Sequence, residues 1–287
     1  MPAERTARFV EWMYHVGSID SLELAELAPY RTMRFQEEHR RQRIFVAEGD
    51  KVVRRLLESE LGVVSALLPK EWFETLEPLL RKRPEDIRVF LAEKKLLEHL
   101  SGFTMYQGVL AVGRMPAPIM LEQALGGGPR PRLWVAVDGL TSSENMGALV
   151  RNCAAFGAHA LLVGETCSHP YLRRSVRSSM GTIFRLPIVE TAVLTRALLE
   201  LRSRGIRVVA AHPHADQRAI TQAELAGDCC LVFGSEGTGL SAEVLAACDE
   251  AVAIPMPAAV DSLNVASAAA VFLYEATRRR KAVTSIA

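Results

Sequence analysis

Between Gly234 and Ser241 the chain reads Gly234-Ser235-Glu236-Gly237-Thr238-Gly239-Leu240-Ser241. Glycines this dense let a backbone lie close against a ligand, and an acid set among them is rarely needed for packing. The order is G-x-x-G-x-G, not the G-x-G-x-x-G of dinucleotide-binding loops, and no Gly-Lys-Ser/Thr follows to make a P-loop. A tight strand-to-helix turn accounts for the glycines alone. Glu236 is the residue that favours a site.

Two further segments carry side chains with chemical potential. Pro255-Met256-Pro257 leads through Asp261 and Ser262 to Leu263-Asn264-Val265, at the head of a long helical pattern. Asp261 or Ser262 is a good N-cap there, which puts Asn264 in the first turn as a second local cap or as a site residue. Asp138-Gly139-Leu140-Thr141-Ser142-Ser143-Glu144-Asn145 enters another helix, which carries Arg151 among apolar or small residues. Thr141 and Glu144 have capping-box spacing. Arg151 lies about one and a half turns past Asn145; it faces solvent or meets an anion near a strand end.

Strands must hold these loops. Apolar runs predict them at Leu133–Val137, Ala160–Val163, Ile206–Ala210, Cys229–Phe233 and Ala251–Ile254. Helices are expected at Asn145–Phe156, Tyr171–Ser178, Ala192–Arg204, Ser241–Ala247 and Leu263–Arg279, with Gly157 and Gly205 as stops. Continuous apolar strands between helices imply an α/β fold with a mainly parallel sheet covered on both faces. Ligands in such sheets sit at the carboxyl ends of strands, here the loops after Val137, Phe233 and Ile254. A smaller α/β layer precedes it, with strands at Ile44–Glu48, Val63–Leu68, Ile87–Leu91 and Gly108–Val112. Helices over Asp50–Ser59, Lys70–Leu80 and Glu93–His99 alternate with them, and another is expected around Arg5–Tyr14. Met115–Pro131 is dense in proline and glycine and reads as a linker. The expected division is a domain over 1–115 whose first ~30 residues are a helical extension, a linker over 116–131, and a second domain over 132–287.

Composition narrows the function. The 287 residues are 49% hydrophobic and 23% charged, which is globular and excludes a disordered chain. Lys+Arg is 34 against 33 for Asp+Glu, a net charge of +1, and residues 1–115 hold 18 of each sign. No global positive field exists, so any nucleic acid must be met by local patches. The longest apolar run, Leu263–Tyr274, falls short of the ~20 residues of a membrane span, and the N-terminus lacks a signal-peptide core. Five cysteines without ligand spacing suggest reduced, buried thiols and a cytoplasmic protein. The histidines make no HExxH, and His212 and His214 flank a proline, so no metal site is expected.

Taken in order, the three loops resemble the signature motifs of the SpoU (TrmH-like) branch of the SPOUT RNA methyltransferases. The motifs are Asn145 and Arg151 with Gly157, then Gly234-Ser-Glu236-Gly237-Thr-Gly239-Leu-Ser, then Ile254-Pro-Met256 followed by Ser262-Leu263-Asn264-Val265. The likeness covers essentially all of residues 132–280, including Arg173-Arg174-Ser175-Val-Arg177-Ser-Ser179-Met-Gly181. Arg34-Phe35 and Phe45-Val46-Ala47-Glu48-Gly49 look like the start of the substrate-binding domain that often precedes this catalytic domain and resembles an RNA-binding ribosomal protein. Two departures stand out: Ser143-Glu144 replaces the Asp-Pro of many relatives, and Pro257-Ala258 stands where they often place a small residue and Gly.

The resemblance implies a 2′-O-ribose methyltransferase using S-adenosylmethionine on structured rRNA or tRNA, a deep trefoil knot, and a homodimer through the catalytic domain with an active site drawing on both subunits. By position, Gly234, Ile254 and Leu263 would contact the cofactor through backbone, with Met256 nearby. The slot expected there is apolar, and a side chain at Gly234 would enter it. Arg151 would be the main catalytic residue, completed by Asn145, Glu236, Ser262 and Asn264. A guanidinium stays protonated, so Arg151 suits a phosphate clamp and alkoxide stabiliser better than a base. Candidate RNA contacts are Arg31, Arg34, Arg40, Arg41 and Arg43 in the first domain and Arg173, Arg174 and Arg177 in the second. Arg278-Arg279-Arg280-Lys281 is a further basic run, which the dipole of a helix C-terminus would explain without RNA. The competing reading is a non-catalytic RNA-binding or ribosome-assembly protein, against which Arg151, Glu236 and Asn264 argue. A nucleotide-dependent oxidoreductase is disfavoured by the missing fingerprint.

Overall fold

The computed structural model describes residues 14–33, 35–101, 108–213, 218–257 and 260–284. The chain divides into two compact units, Met1–Met115 and Pro116–Ala287.

The first unit is a five-stranded sheet with short helices. Its strands are β1 (Tyr14–Ser18), β2 (Ile44–Glu48), β3 (Val63–Leu68), β4 (Ile87–Leu91) and β5 (Leu110–Arg114), in the order β1-β4-β3-β5-β2. β1, β4 and β3 are parallel, and β5 runs antiparallel to both β2 and β3. Helices α1 (Ala28–Arg31), α2 (Gln36–Gln42), α3 (Asp50–Leu57), α4 (Lys70–Leu80) and α5 (Lys94–Ser101) connect them. The helix expected around Arg5–Tyr14 falls outside the described residues except for Tyr14, which opens a strand. β1 escaped the sequence because its residues are mostly exposed and polar, so no apolar pattern marks it. The fifth strand lies two residues later than expected, because Gly108 is in a left-handed turn.

The second unit is a six-stranded sheet in which every pairing is parallel. Its strands are β6 (Leu133–Val137), β7 (Ala160–Val163), β8 (Ile188–Glu190), β9 (Arg207–Ala211), β10 (Cys229–Phe233) and β11 (Glu250–Val252), ordered β11-β9-β10-β6-β7-β8. β6 and β10 are buried at every position, as a parallel sheet covered on both faces demands. Helices α6 (Leu121–Leu125), α7 (Ser143–Ala155), α8 (Arg173–Ser178), α9 (Leu194–Ser203), α10 (Ala242–Ala246) and α11 (Val265–Thr284) surround it. α7 and α9 both end in Schellman motifs. Ala158 N–H reaches Cys153 O at 2.8 Å and Ile206 N–H reaches Leu201 O at 3.1 Å, with Gly157 and Gly205 supplying the positive φ.

The linker expected over 116–131 is not structureless. α6 buries Leu121, Ala124 and Leu125 in the core of the second unit, beside Trp134, Leu162 and Leu198. Proline and glycine flank this short helix and mask its apolar side chains in the sequence. β8 was also missed, because three residues are too few for a periodicity to register.

Candidate active site

The loops after β6, β10 and β11 converge at the carboxyl end of the second sheet. The β10 loop closes on itself: Ser235 and Gly239 exchange backbone hydrogen bonds of 3.0 Å in both directions. Ser235 Oγ also accepts from Thr238 N–H at 3.1 Å. Asp138, at the end of β6, anchors the far end of this loop by accepting from Ser241 N–H at 2.8 Å and Ser241 Oγ–H at 2.9 Å. Ser241 in turn caps α10. Cys167 lies against the β6 loop, its Sγ taking Leu140 N–H at 3.3 Å and donating to Val137 O at 3.4 Å. Burial pushes the Cys167 thiol up from its ordinary value, so it supports the loop as a neutral group.

Gly234 is glycine for a reason other than the one expected. A Cβ there would fall inside the backbone of Gly239 and Leu240. The obstruction is the returning loop and not the ligand slot, so a side chain at 234 would break the turn itself.

A cavity of about 310 Å³ opens beside this loop, at the lower end of the size range of small-molecule sites. Its apolar wall includes Phe233, Ile254, Met256, Leu263, Val265 and Phe272, and the glycine loop from 234 to 239 forms another side. All four residues assigned to the cofactor, Gly234, Ile254, Met256 and Leu263, line it. His212 and Asp261 line it too. His212 belongs to the loop after β9, a fourth strand end that the sequence reading passed over. The strand-end rule applied to Ile206–Ala210 would have found it.

Three polar side chains from three loops form a relay that ends on Glu236, a lining residue of the cavity. Asn264 is itself the N-cap of α11, two or three residues after the expected cap: its Oδ1 accepts Ala266 N–H at 3.0 Å and Ser267 N–H at 3.4 Å. Its Nδ2 then donates to Asn145 Oδ1 at 3.0 Å, and Asn145 Nδ2 donates to Glu236 Oε1. Asn145 sits in the first turn of α7, where Ser142, not Thr141, is the cap, accepting Asn145 N–H at 3.3 Å. Ser262 lines the cavity but makes no hydrogen bond with the relay among the described residues. α7 and α11 are joined by Asn152 Nδ2, which donates to Ala266 O at 2.7 Å.

Arg151 is not brought to this group. It is exposed, does not line the cavity, and has no hydrogen bond or ion pair among the described residues. Six residues past Asn145 is about 240° around the helix, so the two side chains leave α7 on different faces.

The arginine groups separate into different uses. Arg31 donates to the carbonyls of Leu22 and Leu24, the latter at 2.9 Å, so it clamps a loop of the first unit. Arg34 lies outside the described residues. Arg40, Arg41 and Arg43 are exposed, with Arg41 paired to Glu38 at 2.6 Å. On α8, Arg174 and Arg177 are exposed and Arg173 is half-buried. Their helix sits tightly on α7 because Gly147 has no side chain: a Cβ there would strike Ser175 O and stand 2.7 Å from Ser178 Cβ.

The profile of the SpoU rRNA Methylase family matches residues 132–274. An uncharacterized tRNA/rRNA methyltransferase of Mycobacterium tuberculosis is 33% identical over 243 residues, which is 82% of this chain and 81% of that protein. The 23S rRNA (guanosine-2'-O-)-methyltransferase RlmB of Ralstonia nicotianae is 33% identical over 198 residues, 69% of this chain and 79% of that protein. The crystal structure of the SpoU methyltransferase AviRb from Streptomyces viridochromogenes in complex with the cofactor AdoMet aligns with a TM-score of 0.78 at 27% identity. That alignment covers 90% of this chain and 99% of AviRb.

Proposed function

The chain belongs to the SpoU rRNA methylase family, and from that premise we propose that it is an S-adenosylmethionine-dependent 2′-O-ribose methyltransferase acting on structured RNA, ribosomal RNA before transfer RNA. The observation that carries this reading is a relay from Asn264 through Asn145 to Glu236, which itself lines an apolar, glycine-walled cavity.

The cavity fits the cofactor's adenosine. Ile254 and Leu263 lend it apolar side chains, and their main-chain N–H groups have no acceptor among the described residues, leaving donors for an uncharged base edge. When bound, S-adenosylmethionine supplies an electrophilic methyl group on a sulfonium. The protein aligns the ribose hydroxyl for in-line displacement and assists loss of its proton. Asn145, Glu236, Ser262 and Asn264 form the catalytic set around the cavity, and Arg151 clamps the adjoining phosphate. Because Arg151 stands exposed and apart from the relay in one copy, its role belongs to a homodimer through this unit. Val271 and Tyr274, 39% and 57% exposed on α11, give such a contact apolar area.

The same reading includes the deep trefoil knot. In its support, β11 lies at the sheet edge beside β9, yet α11 is bonded to α7, and Ile254, Met256 and Leu263 from between β11 and α11 line the cavity with Phe233 at the end of β10. It also makes the first unit an RNA-binding domain resembling a ribosomal protein, with Arg41 and Arg43 as phosphate contacts.

Incubating the purified protein with labelled S-adenosylmethionine and total RNA, then mapping ribose methylation, tests the proposal. Label in a single 2′-O-methylated nucleotide of ribosomal RNA is expected. Cofactor and RNA binding without methyl transfer would leave the non-catalytic reading.

A further inference from the structure

We propose that Glu236 accepts the proton of the attacking ribose hydroxyl, its carboxylate oriented by Asn264 and Asn145. The inference rests on the reading of 2′-O-methylation above and names the proton acceptor within it.

The direction of the relay is fixed by covalent fact. Backbone N–H groups can only donate, so Asn264 must turn its Oδ1 to Ala266 and Ser267 and its Nδ2 outward. Asn145 must then present Oδ1 to that Nδ2, which aims its own Nδ2 at Glu236. The last group must accept, and a carboxylate does so with Oε1 while Oε2 stays available. Two amides locked by a helix terminus thus hold an acid at the mouth of the cavity, in a loop otherwise stiffened by the mutual Ser235–Gly239 hydrogen bonds. If Glu236 were only a brace, a neutral acceptor would serve as well. A carboxylate is needed where a proton has to be taken up. Arg151 is poorly suited to that task, since a guanidinium arrives with its protons.

The step balances. The ribose O2′–H bond breaks and its proton goes to Glu236 Oε2. The O2′ electron pair forms the bond to the methyl carbon, and the carbon–sulfur pair returns to sulfur, leaving a neutral thioether. Glu236 then releases the proton to water.

Glu236→Gln is the deciding variant, because Gln Oε1 still accepts from Asn145 and preserves the relay. Its affinity for S-adenosylmethionine, S-adenosylhomocysteine and RNA, by calorimetric titration, should stay within threefold of wild type, and its melting temperature should hold. Its kcat should fall by about 10²-fold or more, the size of general-base assistance. Glu236→Asp should recover part of the rate. Asn145→Ala should cost less than Glu236→Gln, and combining the two should add little, since Asn145 acts through the carboxylate. A Gln variant within fivefold of wild-type kcat would overturn the assignment. A wild-type protein that binds the cofactor but methylates no ribose would instead overturn the function on which it rests.

Discussion

α8 and the end of α11 carry similar basic runs, Arg173-Arg174 with Arg177 and Arg278-Arg279-Arg280, and the fold uses them differently. The α11 arginines are turned onto the protein. Arg278 and Arg279 both pair with the buried Glu275, at 2.8 and 2.7 Å. Arg279 also donates to the carbonyls of Ile220, Thr221 and Ala223. Arg280 reaches Gly227 O at 2.8 Å, Arg132 O at 3.0 Å, and Leu225 O and Pro131 O at 3.3 Å. These carbonyls lie where β6 and β10 begin, so the guanidinium ties the helix end to the sheet. On α8, Arg174 has no partner among the described residues and Arg177 is exposed beside it. The α11 run is thus accounted for by the protein's own carboxylate and carbonyls, whereas Arg174 keeps an uncommitted guanidinium among the described residues, which makes α8 the better candidate for an RNA contact.

The comparison can be broken most forcefully at Arg280. Arg280→Ala should destabilise the protein by about 3 kcal/mol, because several carbonyls lose a charged donor together. Its melting temperature should drop by several degrees while the RNA affinity of the folded variant stays within twofold. Weakened RNA binding without lost stability would place Arg280 with the α8 group. A smaller effect of the opposite kind is expected on α8. The double variant Arg174→Ala, Arg177→Ala should bind RNA about tenfold more weakly, or ~1.4 kcal/mol, with a salt dependence flatter by one to two units. Its stability should change by less than about 0.5 kcal/mol. Filter binding at several salt concentrations checks this, and an unchanged salt slope would remove α8 from the RNA surface.

The smallest effect sharpens the α11 side through pH. The hydrogen bond from Arg278, then that from Arg279, holds the Glu275 carboxyl below its ordinary value. A depressed carboxylate contributes stability above its unfolded pKa of about 4.3 and loses it as pH falls through the folded value. Glu275→Gln should therefore cost about 1 kcal/mol at pH 7, after allowing for the solvent around Arg278. Wild type and variant should converge below the folded pKa, as denaturant titrations at pH 7 and pH 3 would show. A gap that persists in acid would mean that Glu275 acts through packing alone.

Much of the second unit was legible because its strands are buried on both faces. Leu133–Val137, Ala160–Val163 and Cys229–Phe233 stand as read. The exposed edge strand Tyr14–Ser18 was not, since its partner at Ile87–Leu91 is far along the chain and its own pattern is polar. Among the candidate site residues, residue types pointed to Glu236 and Asn264, but the pattern did not show that the capping residue also reaches another loop: Asn264 uses its oxygen for the helix and its nitrogen for Asn145. The arginine clamps were illegible in principle, because Arg280 meets Pro131 and Arg132 across nearly 150 positions. The reason for Gly234 was misread likewise, since the chain that fills the space above it arrives only after the turn closes.

The N-cap of α11 has a consequence in time. Asn264 orients Asn145, and through it Glu236, only while the first turn of α11 offers its N–H groups. The loops after β6 and β10 leave the ribosome well before that turn. Until residues 265–267 coil, the two amides are free to flip and the acid has no defined heading. On the proposal that Glu236 takes up the proton, a nascent chain that already has most of its sheet would still lack the oriented carboxylate.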